Sequence, residues 1–235
     1  MGAQTLFPSL RVPGAMLRIR RLDQEIRARH LLKHPFYVAW SRGEVPLPVL
    51  REYAGQYYHF ESRFPRYVAE TYARLERSQD RRVLLENLMD EEGRDPTHPE
   101  LWLDFARAIG SSRRQVQGAL LTAPTRDLLG TYERLTRGGT APEALSALYA
   151  YESIFPEVAR EKSAGLRAHY HISSPAAHEF FRVHTEADVE HSGAERRILS
   201  RLLARSPSAG AKAYAATRRT VQAWWDFLDG FPVAG

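Results

Sequence analysis

From Ala15 onward the apolar residues recur at helical spacing almost without interruption, and no strand-like alternation stands out. That regularity points to an all-α fold. Met16, Ile19, Leu22, Ile26 and Leu31 form a first stripe, which His34-Pro35 breaks. Phe36 to Trp40 starts a short second element ahead of Gly43. Pro46 and Pro48 open a segment whose aromatic spacing (Tyr53, Tyr57, Phe60, Phe64, Tyr67) predicts one long helix. Further helices are expected over about 78–92, about 98–109 (closed by Gly110) and 125–137 (ended by Gly138-Gly139). Thr140-Ala141-Pro142-Glu143 reads as a helix start, with threonine as N-cap and glutamate at N3. The helix it opens runs toward Gly165, bent at Pro156. Ser174-Pro175 opens another, and the last covers about 207–229. No internal repeat is evident. Residues 1–14, with Pro8, Pro13 and two glycines, read as a flexible N-terminal arm, and 15–235 as a single helical domain.

On such a scaffold, His184, Asp188 and His191 stand at i, i+4 and i+7. At the helical repeat they fall within about 60° of one another, so two imidazoles and a carboxylate leave one rigid element in the same direction. Helical proteins hold transition metals in this way, whereas a polar face carrying incidental histidines is the plainer alternative. Glu91 and His98 lie seven positions apart, and Glu152 sits in an otherwise apolar, aromatic run, Leu148 to Pro156. A carboxylate there is costly unless paired or bound to a cation. An arginine partner for Glu152, or a solvated helix end for Glu91 between Asp90 and Glu92, would also account for these residues. Three carboxylates and three histidines suit two divalent iron or manganese ions better than one tetrahedral zinc.

The 235 residues, 43% hydrophobic and 26% charged, are ordinary for one soluble domain. The absence of cysteine excludes a disulfide framework, a thiolate metal site and a cysteine nucleophile. No stretch approaches a membrane span and no signal-peptide core begins the chain, so a cytoplasmic protein without a membrane partner is expected. The net charge of +5 comes from scattered arginines beside acids, with no aromatic-basic platform, so nucleic acid is not expected as a partner. Only Lys33, Lys162 and Lys212 are lysines.

The order Glu91-x6-His98, Glu152, His184-x3-Asp188-x2-His191 resembles the haem-oxygenase-like dimetal oxidases, helical bundles related in fold to the TenA thiaminases and pyrroloquinoline-quinone synthases. The runs Phe36-Tyr37-Val38, Trp40-Ser41-x-Gly43-Glu44, Asn87 to Glu92, Ala147 to Ser153, Ala159 to Lys162 and Glu186 to Val189 are similar to the CADD family, named for associating with death domains, whose members act as para-aminobenzoate synthases. The likeness spans roughly residues 20–230. It implies a single-domain haem-oxygenase-like bundle with a dimetal site between helices. It implies Glu91, His98, Glu152, His184, Asp188 and His191 as metal ligands, with Glu91 and Glu152 as bridges. The implied cofactors are two metal ions, Fe/Fe or Fe/Mn, with O₂ and an external reductant, and a homodimer is plausible by the same likeness. It further implies that no external aromatic substrate is used: Tyr37 is consumed and Lys162 donates the amino nitrogen, in a single turnover. Tyr53 and Tyr151 match family tyrosines that relay electrons or hydrogen-bond a ligand, although core packing explains them as well. Phe180 departs from the pattern, standing where the family has a tyrosine, so a relay through it is not expected.

The chemistry fits the residue types. A tyrosine side chain is a para-substituted ring with oxygen at one end and Cβ at the other. Para-aminobenzoate needs nitrogen at the first and a carboxylate at the second. A lysine amine near an apolar site can be partly neutral and nucleophilic, a role closed to arginine. Tyr37 as a core tyrosine with a satisfied hydroxyl, and Lys162 as a helix-end residue before Gly165, are the plainer readings. Two other functions compete: a multi-turnover dimetal oxygenase acting on an external small amine or fatty acid, and a non-enzymatic protein that binds death domains. The activities of the cofactor-independent quinone-synthase and thiaminase relatives are less expected, since thiaminase-type chemistry needs a cysteine nucleophile and the chain has none.

Overall fold

A computed structural model describes residues 14–233, and these residues are helical with no strand among them. Helix α1 (Gly14–Ala28) leads through a 3₁₀ turn (Leu31–Lys33) to α2 (Pro35–Ser41). Then follow α3 (Leu47–Glu61), α4 (Phe64–Arg74), α5 (Ser78–Glu92), α6 (His98–Ala108) and the short α7 (Arg113–Gln117). The second half holds α8 (Ala123–Gly138), α9 (Ala141–Glu152), α10 (Phe155–His169), α11 (Pro175–Arg205) and α12 (Pro207–Asp229). The expected arm falls, except for Gly14, outside the described residues.

The local signals act as their chemistry requires. Glu143 accepts from the backbone N–H and the hydroxyl of Thr140 at 2.9 and 2.6 Å, closing the capping box of α9. Thr97 and Glu100 do the same for α6. Gly43 ends the turn after α2 with φ +73°, where a side chain would be strained and would also strike His169.

Two expectations fail for one reason. The helix read as continuous from Pro46 to Tyr67 stops at Glu61, and the bend foreseen at Pro156 is a full break after Glu152. Pro65 and Pro156 each lack an N–H, and in a continuous helix each ring would meet the carbonyl four residues back. Those residues are Glu61 and Glu152. The chain turns for two residues, then restarts with proline in the first turn, where it is tolerated. Helix α10 also runs on past Gly165 to His169, so Lys162 lies mid-helix and its reading as a helix-end residue is discarded.

In the bundle, α9 packs on α12, α8 and α11, while α11 also lies along α6 and α10. The shared core is aromatic. Tyr151 stacks on Trp224 at 5.1 Å between ring centroids, and Tyr57 meets Trp102 at 4.2 Å. Gly165 admits the close approach of α2 to α10: a Cβ there would lie 2.8 Å from Trp40 Cδ1 and 3.1 Å from the Trp40 carbonyl oxygen. No helix among the described residues is long and apolar enough to cross a membrane.

Candidate metal centre and lysine chamber

Two groups of buried donors face one another in the core. Glu61, Glu91, His98 and His184 form the first, and Glu152, Asp188 and His191 the second; within each group one ligand atom per residue lies within 4.8 Å of the others. The structure therefore brings together all six carboxylates and histidines singled out by sequence, and adds Glu61. The plainer readings of two of them do not hold. Glu91 is 1% exposed, not a solvated helix end. Glu152, fully buried, has no arginine partner among the described residues and instead accepts from Asn87 Nδ2 at 2.8 Å.

The histidines are held for ligation. His184 donates through Nδ1 to the Phe180 carbonyl at 2.8 Å, which leaves Nε2 facing Glu61 Oε1 at 3.7 Å. His191 is bonded through Nε2 to Asp90 at 3.0 Å, so its Nδ1 faces Glu152 at 3.6 Å and Asp188 at 3.9 Å. His98 Nδ1 meets Glu91 at 2.9 Å and its Nε2 is without a partner. Fixing one ring nitrogen by a hydrogen bond orients the other, as ligating histidines require.

The electrostatics ask for cations. Glu61, Glu91, Glu152 and Asp188 each carry a buried oxygen with no hydrogen-bond partner. Burial, with repulsion from Glu91, pushes the Glu61 carboxyl well above its usual range, and burial with Glu152 does the same to Asp188. Burial, with His98 beside it, pushes His184 well below its ordinary value, so it is a neutral imidazole. Burial opposes a charge on His191, but Glu152 and Asp90 outweigh it and push its pKa up to about 9. Several unpaired buried carboxylates cost several kcal/mol each unless a cation neutralises them. Two divalent ions would meet that demand, and an all-nitrogen-and-oxygen donor set suits iron or manganese.

Beside this centre lies a closed aromatic chamber around Lys162, which is 1% exposed. Lys162 Nζ donates to Tyr53 Oη at 2.6 Å, and Tyr53 Oη bonds Tyr37 Oη at 2.9 Å. The amine sits 5.2 Å from the Tyr37 ring centroid and 4.6 Å from that of Tyr57, with Trp102 and Phe155 also near. Burial holds the Lys162 amine well below the ordinary lysine range, with Glu61 pulling weakly the other way. Tyr151 joins the chamber through a hydrogen bond between its hydroxyl and that of Tyr57. The Tyr53 and Tyr57 rings are 5.7 Å apart, so tyrosines run unbroken from beside Glu152 to Tyr37. Phe180, buried 4.1 Å from the His184 ring, carries no hydroxyl into that chain.

Sequence reasoning missed Glu61 and the hydroxyl role of Tyr57. A signal was present: Tyr58-x-x-Glu61-Ser62-x-Phe64-Pro65 recurs as Tyr149-x-x-Glu152-Ser153-x-Phe155-Pro156. This short internal repeat, overlooked in the reading for repeats, places a glutamate at the end of a helix in each half of the chain.

The chain is similar to known proteins. The family model described as "Iron-containing redox enzyme" matches residues 51–225. The 4-aminobenzoate synthase of Chlamydia muridarum is 36% identical over 211 residues, which cover 90% of this chain and 88% of that one. The 4-aminobenzoate synthase of Nitrosomonas europaea is 37% identical over 220 residues, covering 90% and 89%. Among solved structures, a TenA homologue from Pseudomonas syringae pv. tomato matches with a TM-score of 0.78 at 14% identity over 97% of both chains, a likeness of fold.

Proposed function

The chain belongs to the iron-containing redox enzyme family that takes in the 4-aminobenzoate synthases, and on that premise we propose that it forms 4-aminobenzoate from its own Tyr37, with Lys162 as amino donor, once per chain. The observation that carries this reading is the shared hydroxyl of Tyr53. It accepts from Lys162 Nζ at 2.6 Å and bonds Tyr37 Oη at 2.9 Å, which holds amine and phenol oxygen on one atom away from water.

Glu61, Glu91, His98 and His184 would hold one ion and Glu152, Asp188 and His191 the other, as Fe/Fe or Fe/Mn; when bound, such a centre reduced from outside supplies O₂ activation. The protein's own groups provide the rest. Burial disfavours the charged form of Lys162, which favours a free nitrogen lone pair for the Tyr37 ring. Tyr53 can pass a proton between the amine and the phenol oxygen. Tyr151, Tyr57 and Tyr53 give an electron a path between the centre and Tyr37. In balance, one O₂ is consumed as the Cα–Cβ bond of Tyr37 breaks, Cα staying behind as a glycine and Cβ becoming the carboxylate. Nζ of Lys162 bonds to the ring as the phenol oxygen leaves as water, and a second O₂, with two electrons from the external reductant, oxidises Cε to an aldehyde so that the Nζ–Cε bond breaks and nitrogen stays on the ring. Each chain then yields at most one product, since both donors are spent.

The test loads metal-free protein with Fe(II), with and without Mn(II), then adds reductant and O₂ but no aromatic compound. 4-Aminobenzoate at no more than one per chain, with mass lost from the peptides carrying Tyr37 and Lys162, is the expected result. Intact peptides and no product from a centre that consumes O₂ would transfer the assignment to an external substrate.

A further inference from the structure

The ligand-bearing face of α11 does not stop at His191. His184, Asp188, His191 and Glu195 follow one another at steps of four, three and four, so Glu195 continues the same stripe one turn further. Glu195 is fully buried, and neither carboxylate oxygen has a hydrogen-bond partner. Among the described residues no lysine or arginine pairs with it; the charges acting on it are the carboxylates of Glu152 and Asp188, and Glu152 lies within hydrogen-bonding reach of it once either carries a proton. Two buried carboxylates set face to face cost more than an apolar residue of similar size would, unless a cation lies between them.

The surroundings show what Glu195 faces. A cavity of about 310 Å³ opens between α5 and α11, lined by Glu195 and His191 together with Asn87, Asp90, Glu86 and Glu190, four carboxylates against the single cation of Arg197. Asn87 and Asp90 are the groups that hold Glu152 and His191. The cavity thus reaches the second donor group from outside through a mouth rich in carboxylates. That group offers three donors where the first offers four.

We infer that Glu195 belongs to the metal centre as a fourth protein ligand on the side of Glu152, Asp188 and His191, and that the acidic cavity is the path by which that ion arrives. The inference rests on the metal centre proposed above but not on the identity of its product. Carboxylates lining the cavity attract a divalent cation, and Glu195 offers it a fully buried carboxylate beside Glu152 and Asp188.

Mn(II) binding to the full-length metal-free protein tests this, followed by the loss of the free-ion electron paramagnetic resonance signal and by melting temperature. Wild type should take up two ions per chain, one for each donor group. Glu195→Gln, which has the shape of a protonated glutamate, should keep one ion at wild-type affinity and bind the other about tenfold or more weakly. Its metal-free form should melt no lower than wild type, while the rise in melting temperature with Mn(II) shrinks. Glu195→Asp, which keeps the charge but withdraws it by one methylene, should fall between the two and serves if the glutamine variant does not fold. Unchanged affinity for both ions in the variants would overturn the inference and leave the 4-aminobenzoate reading standing. A wild type that binds no Mn(II) or Fe(II) would overturn both.

Discussion

Glu61 and Glu152 are each the last residue of a helix, four positions before a proline, and each enters a different donor group of the same centre. Because the proline forbids the next turn, neither glutamate's position depends on a loop. Glu61→Gln should therefore weaken the first ion by about tenfold or more while α3 keeps its length. Helicity by circular dichroism should stay constant as Fe(II) stoichiometry falls. Full retention of both ions would remove Glu61 from the ligand set.

Tyr37→Phe and Lys162→Arg should each abolish 4-aminobenzoate while leaving the metal content unchanged. The first removes the phenol oxygen that the amine must replace; the second offers a guanidinium that stays charged and cannot act as the amine. Product at wild-type yield from either variant would end that residue's sacrificial role.

Tyr53→Phe deletes the hydroxyl that joins the two. Amine and ring remain, so product should still form, but about a hundredfold or more slowly, the scale of a positioned proton carrier. Single-turnover kinetics with equal metal loading distinguish this from loss of the centre.

In the metal-free protein the donor groups should cost stability as pH rises, against a gain from Lys162 that metal-free and metal-loaded protein share. His191 has its folded pKa raised from 6.5 to about 9, so its stabilising charge is fully present below about 6.5 and is lost as pH climbs through about 9. Glu61 and Asp188, whose carboxyls are held above their usual range, cost stability as pH rises past the ordinary carboxylate range and add to the loss. Ions at about a hundred times their dissociation constant should restore ~2.7 kcal/mol per site. Denaturant midpoints of metal-free and Fe(II)-loaded protein should therefore diverge with increasing pH, and parallel curves would contradict the argument.

Gly165→Ala would drive a methyl into Trp40, whose Nε1 donates to the Lys162 carbonyl at 3.1 Å. Overpacking of this kind costs about 1–3 kcal/mol and should shift α2, which carries Tyr37, away from α10. A lower denaturant midpoint with reduced product yield is expected, with metal stoichiometry unchanged because no ligand lies on α2 or α10.

Helical period, capping residues and the spacing of His184, Asp188 and His191 are local properties, and they were enough to give most of the helices and one face of ligands, though not the breaks before α4 and α10 or the short α7. Glu91, His98 and Glu152 were legible because a charge in an apolar or punctuated run is conspicuous, and the family likeness tied them to that face. Which donors share an ion is a different kind of fact. Glu61 and Glu195 look in the sequence like ordinary polar positions of long helices; only the packing of α3 against α6 and of α11 against α5 and α9 removes water from them. The same holds for Lys162, placed by sequence near a helix end and by the structure in mid-helix among aromatic rings drawn from α2, α3, α6, α10 and α11. Periodicity decides which face of a helix is buried, because that depends on neighbours three and four residues away. Desolvation, which makes a carboxylate demand a cation and a lysine give up its proton, depends on what every other helix brings to the same point, and only the tertiary structure decides that.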